Sequence, residues 1–249
     1  MIIPAAEPSL TPAVLVRDLV KAYGPVEALR GLDLRVEPGD FLTIFGPNGA
    51  GKTTLLKILA TLTRPTEGSA LVAGKDVVRQ AGAVRKLVGV ISHNTYLYPQ
   101  LTALENLEFY ARMYRLPAGR DRALALVTRM DLRRRMNDRV GTYSRGMQQR
   151  LSVARALLHD PELLLLDEPY TGLDQHASRV LAEVLEGLRD GTRTVIMTTH
   201  NLQEGLAGCD RAAILVEGRL IFDRRVSEID ASGFQETYFS CVRAQVRPV

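Results

Sequence analysis

The sequence predicts an α/β fold whose core is a mixed sheet, with an N-terminal antiparallel β segment and an inserted helical lobe. Three observations support this prediction. Apolar and polar residues alternate before position 46, which is typical of short strands separated by turns. Helical patterns dominate residues 94–160. Two continuous apolar runs follow, in PELLLLDEP and TRTVIMTTH, and such runs suit central strands that are covered on both faces.

The composition of the chain supports a single folded domain. It has 249 residues, of which 46% are hydrophobic and 24% charged, enough to bury one substantial core. We therefore expect one domain over residues 1–249, with a loose tail over residues 1–12. That tail contains three prolines and Glu7 but no basic segment, which argues against a secretory signal. The longest apolar stretches fall far short of the roughly 18 to 20 residues of a membrane-spanning helix, so we expect a cytoplasmic protein.

The charged residues and the cysteines restrict the function only weakly. The net charge of +4 permits attraction to acidic lipid or nucleic acid without establishing either. Much of the arginine lies between Arg112 and Arg139, where three aspartates offset part of its charge. This segment is either a solvated helical face or a contact near lipid headgroups. Cys209 and Cys241 lack metal-ligand spacing, so we expect buried or idle thiols.

Local patterns predict the remaining elements. AVLVRDLVKAY and LRGLDLRVEPGDFLTIFG predict strands, and the second run ends at a glycine-rich loop. TEGSALVAGKDV and AAILVEGRLIFD predict hairpins, the second with Glu217 and Gly218 as its turn. TALE, from Thr102 to Glu105, is a capping box that begins a helix, whereas residues 226–249 show no clear periodicity. The apolar residues at helical spacing after the capping box are Leu104, Leu107, Tyr110, Met113 and Tyr114.

The glycine-rich loop has the complete pattern of a phosphate-binding loop. GPNGAGKT follows the strand-like DFLTIF and precedes the helix-like TTLLKILATL, which is the context that this pattern requires. Backbone N–H groups of such a loop surround phosphate oxygens, and the helix N-terminus adds partial positive charge. We expect Lys52 to reach the β and γ phosphates and the Thr53 hydroxyl to help hold Mg²⁺. The predicted nucleotide-binding residues are Gly46, Pro47, Asn48, Gly49, Ala50, Gly51, Lys52, Thr53 and Thr54.

Two acidic residues and a histidine follow the later apolar runs. Asp167 and Glu168 come at the end of LLLL, where an acid can bind Mg²⁺ and its neighbour can deprotonate an attacking water. We assign Asp167 to the metal and Glu168 to the general base. His200 ends VIMTTH, and we expect it to hydrogen-bond the γ-phosphate or the attacking water. With Lys52, these residues form the predicted catalytic set.

A second helix N-terminus is also suited to an anion. Ser144, Arg145 and Gly146 precede a helix with several apolar positions, and a helix N-terminus attracts negative charge. One nucleotide already has its own loop, lysine and metal-binding acid. We therefore predict that two chains associate head to tail and that each closes the nucleotide site of the other. An ordinary serine-capped helix is the alternative.

Taken together, these motifs resemble those of the ATP-binding cassette (ABC) transporter ATPases over about residues 13–225. GPNGAGKTT is similar to the Walker A motif, LLLLDEP to Walker B and YSRGM to the signature motif. TGLD at 171–174 is similar to the D-loop, and His200 matches the switch histidine. By the same resemblance, Tyr23 in KAYG matches the aromatic residue that stacks on adenine.

The resemblance implies the P-loop NTPase ABC ATPase fold, with ATP and Mg²⁺ as cofactors. It also implies an ATP-dependent sandwich dimer, of two identical chains or of two different ATPases, in which Ser144 and Gly146 face the partner's ATP. Two departures stand out. The signature reads YSRGM where LSGGQ is common, and His93 stands where the family usually has a glutamine that contacts Mg²⁺ and the γ-phosphate. His93 or Asn94 supplies that contact, or neither does.

The predicted function is ATP hydrolysis that powers export through a separate multi-spanning membrane subunit, at the inner face of the cell membrane. The segment after His93, with LTALENLEFYARMY, most resembles the ATPase of haem exporters linked to cytochrome c maturation. In TYLYPQLT, the residues Tyr96 to Tyr98 are either the surface for the membrane subunit or core.

Other functions remain open from the sequence. The cargo could instead be a drug or a lipid-like molecule, and an importer is a further option. A soluble ABC ATPase acting on DNA or ribosomes is disfavoured, because only 92 positions separate Lys52 from Ser144 and leave no room for a long coiled coil. We therefore expect no nucleic-acid partner.

Overall fold

The computed structural model describes residues 11–92, 94–173, 175–188, 191–230 and 233–245, and these ranges contain ten strands and eight α-helices. The strands are β1 Val14–Tyr23, β2 Val26–Val36, β3 Phe41–Phe45, β4 Glu67–Val72, β5 Lys75–Asp76, β6 Val88–Ile91, β7 Leu163–Asp167, β8 Thr194–Thr199, β9 Arg211–Val216 and β10 Arg219–Arg225. The helices are α1 Lys52–Leu59, α2 Ala81–Leu87, α3 Ala103–Met113, α4 Gly119–Arg129, α5 Arg145–Leu157, α6 Gln175–Glu186, α7 Leu202–Leu206 and α8 Phe234–Gln245. Within the described ranges, no helix combines the length and apolarity needed to cross a membrane.

The strands form two sheets, as the sequence predicts. β2, β1, β4 and β5 make an antiparallel sheet in that order. The second sheet has the order β10-β9-β3-β8-β7-β6, with parallel neighbours except for the antiparallel pair β10 and β9. Because β3, β7 and β8 are parallel, their carboxyl ends lie at one edge of the sheet. That edge carries Phe45, Asp167 and Thr199.

The central strands are buried on both faces, which explains their continuous apolar sequences. Every residue of β7 and β8 is buried. Side chains alternate between the faces: Leu164 and Leu166 pack toward the helical lobe, whereas Leu163 and Leu165 pack toward the side of α1. Both runs therefore lie between two layers of side chains, as predicted.

The helical lobe begins later than residue 94. Its first helix starts at Ala103, after the capping box: Thr102 Oγ1 accepts from the Glu105 N–H at 3.2 Å, and Glu105 Oε2 accepts from the Thr102 N–H at 2.8 Å. Residues 94–102 form a loop, which the buried Asn106 holds through two hydrogen bonds of 2.8 and 3.0 Å with the Tyr98 backbone. The lobe thus consists of α3, α4 and α5 together with an ordered loop.

The arginine-rich segment of this lobe faces solvent. All nine arginines from Arg112 to Arg139 are exposed. Arg120 forms an ion pair with Glu108, and Arg135 forms one with Asp138. This arrangement fits the solvated face, while the contact with lipid headgroups stays a prediction.

The structure adds a C-terminal helix that the sequence did not predict. α8 buries Phe234 and Tyr238, and the ring of Phe234 lies 5.1 Å from that of Phe45, the last residue of β3. Two buried aromatic residues make an apolar stripe too short to show helical periodicity. α8 therefore packs against the strand that leads into the glycine-rich loop. Both predicted hairpins are confirmed, as β4 with β5 and β9 with β10.

Candidate active site

The glycine-rich loop lies between β3 and α1, tight against neighbouring backbone. A β-carbon at Gly46 would lie 2.3 Å from the carbonyl oxygen of Leu215, and one at Gly51 would lie 2.3 Å from that of Ala28. Gly51 also has φ +106°, which side chains disfavour. The turn after β9 supports the loop, because the Gly218 N–H donates to the carbonyl oxygen of Ala50 at 2.9 Å. Glycine is therefore required for this path of the chain.

Lys52 opens α1 and folds back over the loop. Its side chain is only 7% exposed, and Nζ donates to the carbonyl oxygens of Gly46 at 2.6 Å and Pro47 at 3.1 Å. Nζ also lies 3.5 Å from Glu168 Oε1. Burial lowers the pKa of Lys52, while the neighbouring Glu168 carboxylate opposes that shift. These contacts hold the ammonium group where the loop can receive phosphate.

Asp167 ends β7 with its carboxylate held by two hydroxyl groups. Oδ1 accepts from Thr53 Oγ1 at 3.0 Å and from Thr198 Oγ1 at 2.8 Å. Asp167 is buried, so its orientation is fixed by these bonds. A carboxylate and a hydroxyl oxygen side by side are the kind of ligands that Mg²⁺ prefers.

Glu168 follows directly and occupies an unfavourable backbone conformation. Its φ is +50°, which costs a non-glycine residue about 1 to 2 kcal/mol. Its N–H donates to the carbonyl oxygen of Thr198 at 3.0 Å, and its Oε2 lies 2.8 Å from Nδ1 of His200. A carboxylate only accepts, so Nδ1 is the nitrogen that carries the proton. His200 thus contacts Glu168, and its predicted hydrogen bond to the γ-phosphate or the attacking water stays a prediction.

Five of the predicted residues therefore meet at the carboxyl ends of the strands. We call this set the strand-end cluster; it consists of Lys52, Thr53, Asp167, Glu168 and His200. It places a cation, a hydroxyl bonded to the buried carboxylate of Asp167, and a histidine-bound carboxylate beside the loop.

The second predicted anion site lies against the segment that follows Glu168. Ser144 is the N-cap of α5, and its Oγ accepts from the Met147 N–H at 3.3 Å. Arg145 donates from Nη2 to the carbonyl oxygen of Thr171 at 3.4 Å. A β-carbon at Gly146 would lie 2.9 Å from that of Ala177 in α6. This terminus is a serine-capped helix start in the single chain, and its phosphate contact with a second chain stays a prediction.

Three further predictions concern the rim of the site. Tyr23 is 48% exposed at the end of β1, with Lys21 Nζ 4.8 Å from the centre of its ring, and its stacking on adenine stays a prediction. His93 and Asp174, the last residue of TGLD, lie outside the described residues. Asn94, the alternative to His93, borders a small cavity of about 20 Å³ with Thr53 and Asp167.

The helical lobe contains a second concave surface that the sequence predicted only in part. We call it the tyrosine groove; it is a cavity of about 210 Å³ whose lining includes Tyr96, Tyr110, Tyr114, Arg155 and His159. Arg155 Cζ lies 5.5 Å from the ring centres of both Tyr96 and Tyr110, and the Tyr114 ring stacks on His159 at 4.1 Å. Arg155 Nη2 donates to the carbonyl oxygen of Val90 at 2.6 Å.

Of the two alternatives for Tyr96 to Tyr98, core packing holds for Leu97 alone, and docking of the membrane subunit stays a prediction. Tyr96 and Tyr98 are 45% and 38% exposed, whereas Leu97 packs against the core. Sequence reasoning missed Arg155 and His159. Their spacing of four residues, which Tyr110 and Tyr114 share, was the pattern that could have indicated one facing surface.

Comparisons with known proteins agree with this geometry. The sequence profile of the family described as ABC transporter matches residues 29–171. The chain is 42% identical over 221 residues to the daunorubicin resistance ATP-binding protein DrrA3 of Streptomyces coeruleorubidus, covering 88% of this chain and 70% of that protein. It is 38% identical over 214 residues to the Nod factor export ATP-binding protein I of Rhizobium etli, covering 85% of this chain and 68% of that protein.

A solved structure supports the same conclusion. The ATP-binding cassette MJ0796, described as a dimeric post-hydrolysis state bound to ADP and Pi, matches with a TM-score of 0.79 and 29% identity. The match covers 86% of this chain and 98% of that one. The predicted ABC ATPase fold is confirmed. The chain belongs to the ABC transporter family, as an ATP-binding subunit that hydrolyses ATP for transport.

Proposed function

We propose that this chain powers an exporter by hydrolysing Mg·ATP at the strand-end cluster, with Glu168 as the general base. The observation that carries the proposal is the meeting of Lys52, Asp167 and Glu168 beside the glycine-rich loop. The loop amides and Lys52 bind the phosphates, and Tyr23 stacks on the adenine.

Mg²⁺ fits the residues at this site. Thr53 and Asp167 present hard oxygen atoms that already lie 3.0 Å apart, and Asn94 borders the same cavity. Thr53 and Asp167 would hold the ion, with His93 or Asn94 as a further contact. When bound, Mg²⁺ neutralises negative charge on the β and γ phosphates.

Glu168 removes the proton from the attacking water. The oxygen of that water bonds to the γ-phosphorus as the bond to the β–γ bridging oxygen breaks, and that oxygen leaves with ADP. His200 orients the carboxylate through its Nδ1–H, and the other oxygen of Glu168, which lies 3.5 Å from Lys52 Nζ, accepts the proton. Lys52 stabilises the charge that develops on the phosphates.

The working form that we propose is an ATP-dependent homodimer or pseudo-symmetric heterodimer. The neighbour MJ0796 is described as dimeric, and the α5 N-terminus with Ser144, Arg145 and Gly146 is suited to an anion. In the dimer, this terminus faces the nucleotide of the partner. Light scattering of the Glu168→Gln variant with and without Mg·ATP tests this, and a monomer under both conditions would contradict it.

The membrane subunit docks in the tyrosine groove. The exposed Tyr96 and Tyr98 supply large amphipathic side chains, and Arg155 supplies a partly buried cation. A multi-spanning partner held there would place the chain at the inner face of the membrane. Tyr96→Ala should then weaken recovery of the membrane subunit more than a change at the remote, exposed Glu228.

The cargo that we propose is a drug or a lipid-like molecule. The relatives described above are named for daunorubicin resistance and Nod factor export. Those names do not support the haem-export prediction made from the segment after His93. The sequence match there is short, and it concerns residues near the groove rather than the cargo path, which belongs to the membrane subunit.

One preparation tests these proposals together. Glu168→Gln is purified with Mg·ATP from its own membranes in mild detergent, and the co-eluting proteins and the visible spectrum are recorded. A multi-spanning partner without a haem band is the expected result. A haem band with cytochrome-maturation proteins would instead support haem export. Nucleic acid or ribosomes without a membrane partner would overturn the proposal that the chain powers an exporter.

A further inference from the structure

The backbone at Glu168 depends on support from outside its own strand. Its positive φ persists only where surrounding contacts over-determine it. One such contact is the N–H bond to Thr198 in β8. The next is a tight turn in which the Thr171 N–H donates to the carbonyl oxygen of Glu168 at 3.1 Å. A displacement of Thr171 therefore also displaces the backbone of Glu168.

Two residues of α5 hold this turn from the helical lobe. Arg145 Nη2 donates to the carbonyl oxygen of Thr171, and Gln149 Nε2 donates to that of Pro169, each at 3.4 Å. Residues four apart lie on one face of a helix, so Arg145 and Gln149 act from the same side. Gln149 is buried, which fixes its direction.

The side chain of Arg145 also packs against Gly172. A β-carbon at Gly172 would lie 2.6 Å from Arg145 Cζ and 2.8 Å from both terminal nitrogens. The three nearly equal distances mean that the face of the guanidinium group lies against the backbone of Gly172. A larger residue at position 172 would displace this group.

We propose that Arg145 and Gln149 are positioning residues that hold Glu168 in its hydrolytic geometry from the helical lobe. The proposal rests on the proposed role of Glu168 as the base. It assigns Arg145 a task within its own chain, in addition to any contact with a second nucleotide. Movement of α5 relative to the central sheet then changes the position of the base, so the lobe regulates the rate of hydrolysis.

Substitution of Arg145 tests the proposal in the full chain, because this exposed side chain is not needed for the core. Arg145→Ala should lower kcat about five- to tenfold, since small displacements of a catalytic group are costly, while KM for ATP stays within about twofold. Arg145→Lys should restore part of kcat, because it keeps a donor. Arg134→Ala, an exposed arginine of the same lobe, is the matched control.

Gly172→Ala disturbs the same turn in a second way. Gly172 has φ +75°, so an alanine there strains the backbone of the turn, and its β-carbon would also meet the guanidinium group of Arg145. This variant should therefore lower kcat at least as far as Arg145→Ala does. A rise in KM with unchanged kcat in Arg145→Ala would overturn the proposal in favour of a direct phosphate contact.

Hydrogen exchange separates this proposal from the proposed function. In Arg145→Ala without nucleotide, the amides of Glu168 and Thr171 should exchange faster than in the parent and in Arg134→Ala. Unchanged exchange would overturn the positioning role even if hydrolysis were confirmed. If exchange were faster but Glu168 proved not to be the base, Arg145 and Gln149 would still position Glu168. Only the effect of that positioning on catalysis would be lost.

Discussion

The strand-end cluster and the tyrosine groove differ in the groups that surround their cation. Lys52 has a carboxylate 3.5 Å away and two carbonyl acceptors. Arg155 faces two tyrosine rings and one carbonyl oxygen, and among the described residues it forms no ion pair. Burial lowers the pKa of both groups. The comparison teaches that the first site balances its own charge, whereas the second holds a cation among aromatic rings without a counter-charge from the described residues.

The largest expected effect is the loss of ATP hydrolysis when the base of the strand-end cluster is replaced. Glu168→Gln should lower turnover about 10²- to 10⁴-fold while ATP still binds, because the amide keeps its shape but cannot accept the proton. Phosphate release and nucleotide binding are measured on the same preparation. Glu228→Gln, an exposed acid elsewhere, is the control, and hydrolysis at the parent rate would remove Glu168 from the base role.

A second change tests whether the cation of the same cluster serves the nucleotide. Lys52→Ala should weaken ATP binding about 10- to 100-fold, since a charge-assisted bond to phosphate contributes about 1.5 to 3 kcal/mol. Isothermal titration with Mg·ATP measures the loss. Undiminished affinity would mean that Lys52 serves only the loop carbonyls of Gly46 and Pro47.

The tyrosine groove is tested by measuring the stability of the protein rather than its nucleotide binding. Arg155→Ala should lower the free energy of unfolding by about 1 to 3 kcal/mol, because it removes packing against two tyrosines and the bond to Val90. Arg155→Met should cost less, since an apolar chain of similar length replaces a desolvated cation. Urea unfolding measures both, with the exposed Arg85→Ala as control. Equal losses in both Arg155 variants would show that the charge itself stabilises the chain.

The smallest effect appears only at high pH. Burial, aided by the charge of Glu204, raises the pKa of Tyr170 to about 12. The folded chain therefore keeps a proton that the unfolded chain loses near pH 10, so stability falls as pH rises from 10 to 12. Tyr170→Phe should remove about 1 kcal/mol of that loss at pH 11. Identical pH profiles for parent and variant would contradict the raised pKa.

How much the sequence predicted differs between the same two regions. The loop, Asp167, Glu168 and His200 were predicted because each belongs to a local pattern at a strand end. Arg155 and Gln149 were missed because their partners lie far away in the chain, and only packing brings them together.

Two elements of the structure differ from the prediction. The helical lobe was predicted from about residue 94, whereas residues 94–102 form a loop that Asn106 holds, and the first helix begins at Ala103. α8 was missed because it buries only two aromatic residues, Phe234 and Tyr238, which are too few to show a helical period in the sequence. The fold class could be predicted from the periodicity of the sequence. The contacts of Arg155 and Gln149 could not, because they join residues that only the folded chain brings together.

The turn at Glu217 and Gly218 looks like an ordinary exposed hairpin, the usual place for an engineered insertion. Here Gly218 bonds to Ala50 of the phosphate loop, and its carbonyl oxygen accepts from the Arg30 N–H at 2.9 Å. A tag or fluorescent domain inserted at this turn would therefore disturb the backbone of the phosphate loop, so the position is not a neutral attachment point.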